Sequence, residues 1–376
     1  MNSDEIHSDE LYMRKALRLA LVGVGLASPN PAVGAVVVDQ SGHEVGAGTH
    51  TYEGKKHAEV IALDQSGKTA RGGTLYVNLE PCSHQGRTGP CADAVIAAGI
   101  RRVVCSMEDP NPQVAGKGFA KLRAAGIHVE VGLFQREARK LNESFARHIR
   151  SRLPFVTLKS AMSLDGKIAP AVARVEANRW ISGVAARAHV QQVRHQNDAI
   201  LVGVGTVIAD DPLLTDRSGL PRRRRLLRVI LDSSLRLPLT SRIVNSVADD
   251  LVVICSSPDR RVKQTLEDKG VRVIELSGSA RPAFPAVLKA LGEMEITSLL
   301  VEGGSMVNAS ALASGQVDKI LLYFAPKLLG PAAVPFLAEA GEGTRALSVK
   351  QMELHSFGDD FAVEGYLRDP YEEHAG

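Results

Sequence analysis

Apolar positions recur at steps of three and four over residues 9–27, where Met13, Ala16, Leu17, Ala20, Leu21 and Val24 line one side of a helix. The turn Asn30-Pro31-Ala32-Val33-Gly34 leads into the apolar run 35–38, which reads as a buried strand. A second strand is expected at 44–48, after Ser41-Gly42. Helices are expected at 57–63, with His57 in the first turn, and at 91–98, with Cys91 in the first turn and Gly99 as the stop. A β-like segment, 73–79, lies between them. Strand 102–106, helix 118–125, strand 129–132 and a long polar helix over 134–150 complete an alternation that predicts an α/β sandwich.

A short break at Ser151-Arg152-Leu153-Pro154 precedes a second alternation, so the domains are expected at 1–150 and 151–376. Strands are predicted at 155–159, 199–203, 228–232, 251–255, 271–275, 298–302, 319–324 and 362–368. A helix is predicted at 184–196, and further helices between the later strands. Two strands come close together only near the end of the chain, which predicts a mixed, mainly parallel sheet.

With 376 residues and 44% hydrophobic content, two ordinary cores are the better expectation. The net charge of +3 is spread along the chain except at 222–225, with Arg228 close behind. That argues against nucleic acid as a partner and leaves phosphorylated small molecules as ligands. A solvated surface loop is the reading preferred for 222–225. Four cysteines, two of them in apolar strand-like runs, make a disulfide framework unexpected and fit a reducing cytosol. The N-terminus lacks the pattern of a secretory leader and no stretch is apolar enough for a membrane span, so a cytoplasmic chain without a membrane partner is expected.

The densest chemistry lies between 57 and 91. H-A-E at 57–59 and E-P-C-S-H-Q-G-R-T-G-P-C at 80–91 supply one imidazole and two thiolates, from His57, Cys82 and Cys91. This set suits tetrahedral Zn2+ with a fourth position left for water, which is a catalytic count. Glu59, two residues past the histidine, is placed to shuttle protons during hydrolytic loss of ammonia from an amidine-like ring carbon. Zinc nucleobase deaminases carry H-x-E followed by P-C-x-x-C. Here eight residues separate the cysteines, and His84, Arg87 and Thr88 among them can bond an anion, as a phosphorylated substrate would require. The bland alternative is a buried cysteine pair and a helix-capping histidine that bind no metal. Asn30 is either a turn residue or an amide aimed at a heterocycle edge.

Two glycine pairs imitate a dinucleotide fingerprint but lack its third glycine. Gly23 and Gly25 are expected inside a helix, for close packing. Gly203 and Gly205 are expected without a strand-turn-helix context, as a backbone approach to a ligand. The better cofactor candidate is Val301-Glu302-Gly303-Gly304-Ser305, at a strand end that opens a helix.

These residues carry a resemblance. A-x-x-N-P-x-V-G-A, H-A-E, L-E-P-C-S-H-x-G-R-T-x-P-C, D-P-N-P at 109–112 and G-x-G at 116–118 resemble the deaminase half of the bifunctional riboflavin-biosynthesis deaminase/reductase family. Thr88-Gly89-Pro90-Cys91 replaces the family's T-P-P-C and spares every ligand. S-L-D-G-K, W-I-S, G-x-G-T-V-x-x-D-D-P-x-L-T-x-R and E-G-G, in that order, resemble the reductase half.

The resemblance implies a cytidine-deaminase-like α/β/α sandwich followed by a dihydrofolate-reductase-like α/β domain. It also implies NADPH beside Ala161, Trp180, Thr206, Asp210, Ser233 and Gly304. A ribosyl substrate is implied at Asn178, Arg194, Leu214, Arg217 and Glu302, with Arg194 and Arg217 at its phosphate. The bland alternative for Arg194 is a solvated helix face. The implied activity is deamination of a diaminopyrimidinone ribosylamino 5′-phosphate, then NADPH-dependent reduction of its ribose, by a homo-oligomer. A nucleoside or tRNA deaminase with an appended binding domain and a non-catalytic regulator are the rival readings; zinc content and ammonia release discriminate among them.

Overall fold

The computed structural model describes residues 3–85, 89–171, 180–338 and 346–372. Two compact units emerge, 1–151 with 221–224, and 152–220 with 225–376. The main division falls between Ser151 and Arg152. The segment 221–224 is no free loop: it belongs to the first unit, where the Arg223 N–H donates to the Gly25 carbonyl at 2.8 Å and its guanidinium lies 4.2 Å from the centre of the Tyr52 ring.

The first unit runs α1 (Ser3–Val22), β1 (Gly34–Val38), β2 (Glu44–Thr49), α2 (Ala58–Ser66), β3 (Thr74–Val77), α3 (Cys91–Ala97), β4 (Arg102–Cys105), α4 (Lys117–Ala124), β5 (His128–Val131) and α5 (Gln135–Ser151). Its sheet has the order β2-β1-β3-β4-β5. The first two pairings are antiparallel and the last two parallel. Met13 and Ala16 of α1 pack on Val36, Tyr76 and Val104, as the helical periodicity requires. α2 lies hard against β2, since a Cβ on Gly48 would stand 2.2 Å from the Ala58 carbonyl oxygen; glycine there lets the helix approach the sheet. α1 ends at Val22, so Gly23 and Gly25 fall in the following turn rather than inside the helix, and Gly25 has φ 80°. His57 caps α2 from outside instead of sitting in its first turn.

The second unit continues with β6 (Phe155–Ser163), β7 (Lys167–Ala169), α6 (Val184–His195), β8 (Ala199–Gly203), α7 (Val204–Asp210), β9 (Leu227–Leu231), α8 (Arg242–Asn245), β10 (Leu251–Cys255), α9 (Arg260–Asp268) and β11 (Arg272–Glu275). It ends with α10 (Phe284–Glu293), β12 (Ser298–Val301), α11 (Ser305–Ala313), β13 (Lys319–Ala325), β14 (Val334–Pro335), β15 (Lys350–Phe357) and β16 (Asp360–Tyr366). The main sheet has the order β11-β10-β9-β8-β12-β6-β13-β16-β15. Only β13–β16 and β16–β15 pair antiparallel in it.

Alternate residues of the parallel strands enter opposite cores. Leu299 and Val301 meet Leu288 and Leu291 of α10 and Ala311 of α11, whereas Leu300 meets Ala186, Val190 and Val193 of α6. Helices therefore cover both faces, and the carboxyl ends of β6, β8, β9, β10 and β12 share one edge, where ligands of such sheets bind.

Two expectations fail here. β15 carries no strand in the sequence reading, because as an edge strand it exposes Met352 and Leu354 and lacks a continuous apolar run. Gly203 does end a strand that feeds a helix directly; its missing Cβ, which would lie 2.9 Å from a methyl of Val307 on α11, marks close packing instead of a ligand's approach.

Candidate active site

In the first unit two buried asparagines fix the N-P-A-V-G segment. Asn78 accepts from the Gly34 N–H at 2.9 Å and donates to the Ala32 carbonyl at 3.0 Å, and Asn142 accepts from the Ala32 N–H at 2.9 Å. This holds Asn30 where its amide nitrogen meets His50 Nε2 at 3.0 Å. The His50 ring stands edge-on to His57 at 5.2 Å between centroids. His50 escaped the sequence reading because nothing in its local pattern marks it. Asn30 thus bonds His50, the neighbour of His57.

His57 Nδ1 lies 3.1 Å from Cys91 Sγ and 3.6 Å from Cys82 Sγ, and the three candidate ligand atoms lie within 4.8 Å of one another. Ligand atoms at the corners of a zinc tetrahedron, with bonds of about 2.0–2.3 Å, stand about 3.5 Å apart, so the donor set fits the ion in type and spacing. Cys91 opens α3, and its N–H donates to Cys82 Sγ at 3.3 Å. Hydrogen bonding from Cys91 draws the Cys82 thiol down, while the same bond and burial push Cys91 up. Bonding to Cys82 raises His57. Glu59 is only 3% exposed, and burial lifts its carboxyl to about 7 against the pull of His57. A carboxyl poised near neutrality can both take and return a proton.

Glu80, between the strand and Cys82, was not singled out by the sequence. Its carboxylate accepts four backbone N–H groups, from Asp109 (3.1 Å), Gly116 (3.0 Å), Gly118 (2.8 Å) and Phe119 (3.2 Å). The G-x-G motif is explained by this contact, since a Cβ on Gly118 would stand 2.0 Å from the Pro81 carbonyl oxygen. Glu80 thus ties the ligand-bearing E-P-C segment to D-P-N-P and the start of α4. Burial pushes the Asp109 carboxyl up to about 6, Glu80 adding to the rise and His84 opposing it. His84 is exposed; Arg87 and Thr88 lie outside the described residues.

In the second unit the residues expected at a cofactor lie on several elements, of which the start of α11 and α7 come together. Gly304 caps α11, and a Cβ there would lie 3.7 Å from Thr206 Oγ1 on α7. Asp210 ends α7, Ala161 lies on β6, and the Ser233 carbonyl after β9 accepts the N–H groups of Ser256 and Ser257 after β10. Trp180 is 56% exposed; Lys327 Nζ holds its carbonyl at 3.0 Å, and the Arg187 guanidinium lies 5.0 Å from its ring centre. Asn178 lies outside the described residues. The D-G-K turn receives a structural role: Asp165 accepts the N–H groups of Leu329 and Gly330.

Glu302, after β12, is held by Arg194 Nε at 2.8 Å and Nη2 at 3.1 Å, and by Lys159 Nζ at 3.4 Å. Burial alone would raise its carboxyl, but Lys159 and Arg194 hold it down to about 2. Arg194 is therefore no solvated helix residue. Lys159 also escaped the sequence reading; its position in β6 reads only as strand. Leu214 is buried and backbone-strained, with φ 55°, and the Arg217 side chain is exposed beside it.

Comparisons with known proteins agree with both units. Residues 154–363 match the RibD C-terminal domain, and residues 6–107 match the cytidine and deoxycytidylate deaminase zinc-binding region. The chain is 43% identical over 359 residues to the riboflavin biosynthesis protein RibD of Aquifex aeolicus, covering 94% of this chain and 97% of that one. The RibD of Bacillus amyloliquefaciens is 44% identical over 367 residues, covering 96% and 97%. The structure of Acinetobacter baumannii RibD superposes with a TM-score of 0.83 at 37% identity, over 96% of this chain and 99% of that one. The chain belongs to the RibD family of riboflavin biosynthesis proteins.

Proposed function

We propose that this chain catalyses two successive steps of riboflavin biosynthesis. The first is hydrolytic deamination of 2,5-diamino-6-ribosylamino-4(3H)-pyrimidinone 5′-phosphate; the second is NADPH-dependent reduction of the ribosyl side chain. The observation that carries the reading is the coexistence of an intact His57–Cys82–Cys91 donor set, with Glu59 beside it, and a second unit in which Thr206 and Gly304, both expected at a nicotinamide cofactor, meet at the carboxyl edge of a parallel sheet. A related Thermotoga maritima structure, 35% identical with a TM-score of 0.79, is described as a diaminohydroxyphosphoribosylaminopyrimidine deaminase/5-amino-6-(5-phosphoribosylamino)uracil reductase.

In the deaminase domain, 1–150, His57, Cys82 and Cys91 would hold zinc, which would supply Lewis acidity there. Glu59 would take a proton from the attacking water on its carboxylate and return it to the departing nitrogen. Asn30 faces the pyrimidine edge, and His84, Arg87 and Thr88 hold the phosphate. In the reductase domain, 151–376, NADPH supplies the hydride, and Ala161, Trp180, Thr206, Asp210, Ser233 and Gly304 hold it. Asn178, Leu214 and Arg217 hold the ribosyl substrate, with Arg217 at its phosphate. Arg194 and Glu302, bonded to one another, hold the substrate with them, Arg194 also at the phosphate.

A cytoplasmic homo-oligomer completes the reading. Its support is the four free cysteines and the exposed apolar row on edge strand β15, where Met352 is 64% and Leu354 75% exposed. Among the described residues no helix is long and apolar enough to cross a membrane.

The test follows ammonia release from the diaminopyrimidinone phosphate and NADPH oxidation on its deaminated product as separate assays of the purified chain. Both activities are expected. Arg217→Ala should lower kcat/KM of the second by about one to two decades, the scale of a lost charge-assisted contact, while the NADPH dissociation constant holds. Ammonia release from cytidine or adenosine alone would replace this reading with that of a nucleoside deaminase.

A further inference from the structure

We propose that one face of α6, made of Gln191, Arg194 and His195, is a positioning clamp that sets the 214–217 segment for the phosphorylated substrate of the reductase. The inference rests on the reading above that Arg217 holds the substrate's phosphate. Residues 191, 194 and 195 stand at i, i+3 and i+4, so they share one side of the helix. Each grips a different, consecutive residue of the facing segment. Arg194 Nη1 donates to the Thr215 carbonyl at 3.1 Å, His195 Nδ1 lies 3.1 Å from Asp216 Oδ2, and Gln191 Oε1 accepts the Arg217 N–H at 3.0 Å.

The segment needs such a grip. Leu214 has φ 55° and Asp211 φ 42°, a left-handed backbone that side chains other than glycine disfavour and that persists only where surrounding contacts over-determine it. Arg228, fully buried, adds a hold on the Leu213 carbonyl at 3.2 Å, anchored in turn by Asp250 at 2.6 Å.

The clamp also explains how two distant loops become one site. Arg194 binds the Glu302 carboxylate through Nε and Nη2 and the Thr215 carbonyl through Nη1, so one guanidinium registers the loop after β12 against the segment that carries Arg217. Gln191 and His195 then fix the two residues beyond it. Neither Gln191 nor His195 needs to touch the substrate. With its own N–H anchored to the helix, the exposed Arg217 side chain starts from a fixed base, and less freedom is lost when it meets an anion. His195 and Asp216, each 7% exposed at the side chain, exclude water from beneath that base.

Gln191 gives the clean test, because it is partly exposed on a helix where leucine keeps the helical preference and removes the carboxamide whose oxygen accepts the Arg217 N–H. In the full chain, Gln191→Leu should raise KM for the deaminated pyrimidine phosphate roughly five- to tenfold, the scale of one hydrogen bond, with kcat held within about twofold. The NADPH dissociation constant, measured by direct titration, should stay put. Gln191→Glu should restore KM, since a carboxylate oxygen accepts the same N–H. Added to Arg217→Ala, Gln191→Leu should cost nothing further, because both act through one side chain. If Arg217→Ala raises KM while Gln191→Leu does not, the clamp is overturned and the phosphate reading stands. If Arg217→Ala leaves KM unchanged, the phosphate reading itself fails and the clamp falls with it. Equal loss of NADPH affinity in Gln191→Leu would overturn the clamp in favour of a general packing role.

Discussion

The metal centre of the first unit and the cleft of the second are assembled on different plans. Between residues 57 and 91 the chain carries all three proposed zinc ligands and the proposed proton carrier, and two helix starts and one strand end bring them together. The second site takes Lys159 from β6, Arg194 from α6, Thr206 from α7, Ser233 after β9 and Glu302 and Gly304 after β12, residues that share only the carboxyl edge of a parallel sheet. The first plan concentrates function in side-chain chemistry. The second spreads it over backbone ends and ion pairs, so the single side chains there each carry less.

This contrast is open to measurement, and the largest effect is expected at the concentrated site. Glu59→Gln should retain zinc by elemental analysis and lose ammonia release by about two to four decades, the scale of a missing general acid-base group. NADPH oxidation on the deaminated product should be untouched. Near-normal ammonia release in that variant would remove Glu59 from the mechanism.

Next in size is the support beneath the metal. Glu80→Ala strands four backbone donors on residues 109–119, and leaving even one or two of them buried and unpaired costs about 2 kcal/mol or more. Urea unfolding of the first unit should shift by at least that amount, and zinc should be held less tightly. An unchanged midpoint would mean that water replaces the carboxylate at no cost.

The smallest effect is electrostatic and belongs to the second unit. Because the folded Glu302 carboxyl is depressed to about 2, its stabilisation is fully present above its unfolded value of about 4.3 and is lost as pH falls from there toward 2. Denaturant unfolding followed by the fluorescence of Trp180, the sole tryptophan, should therefore weaken across that window in the wild type and less in Glu302→Gln. Identical pH profiles would show that the three-way ion pair adds no acid-sensitive stability.

What the sequence determined by itself follows the same division. The alternation of apolar runs and amphipathic stretches was enough for two α/β units and a mixed sheet, because periodicity reports which side of each element is buried. Strand β15 stayed hidden because its exposed Met352 and Leu354 do not form a buried run. His57, Glu59, Cys82 and Cys91 could be proposed together from the sequence because zinc chemistry demands particular atoms, and few other pressures place imidazole, carboxylate and two thiols in that order.

Only the tertiary structure decided the rest. Glu80 reads as part of a motif until four backbone N–H groups are seen converging on it. His50 is one histidine among eleven until Asn30 meets it. Lys159 is an unremarked residue in a strand until Glu302, far along the chain, arrives beside it, and Arg194 looks like a surface arginine until that same carboxylate turns it inward. The reason is physical: a ligand set is defined by the chemistry of its atoms, whereas a positioning contact is defined by a distance, and distances between segments exist only after the sheet has formed.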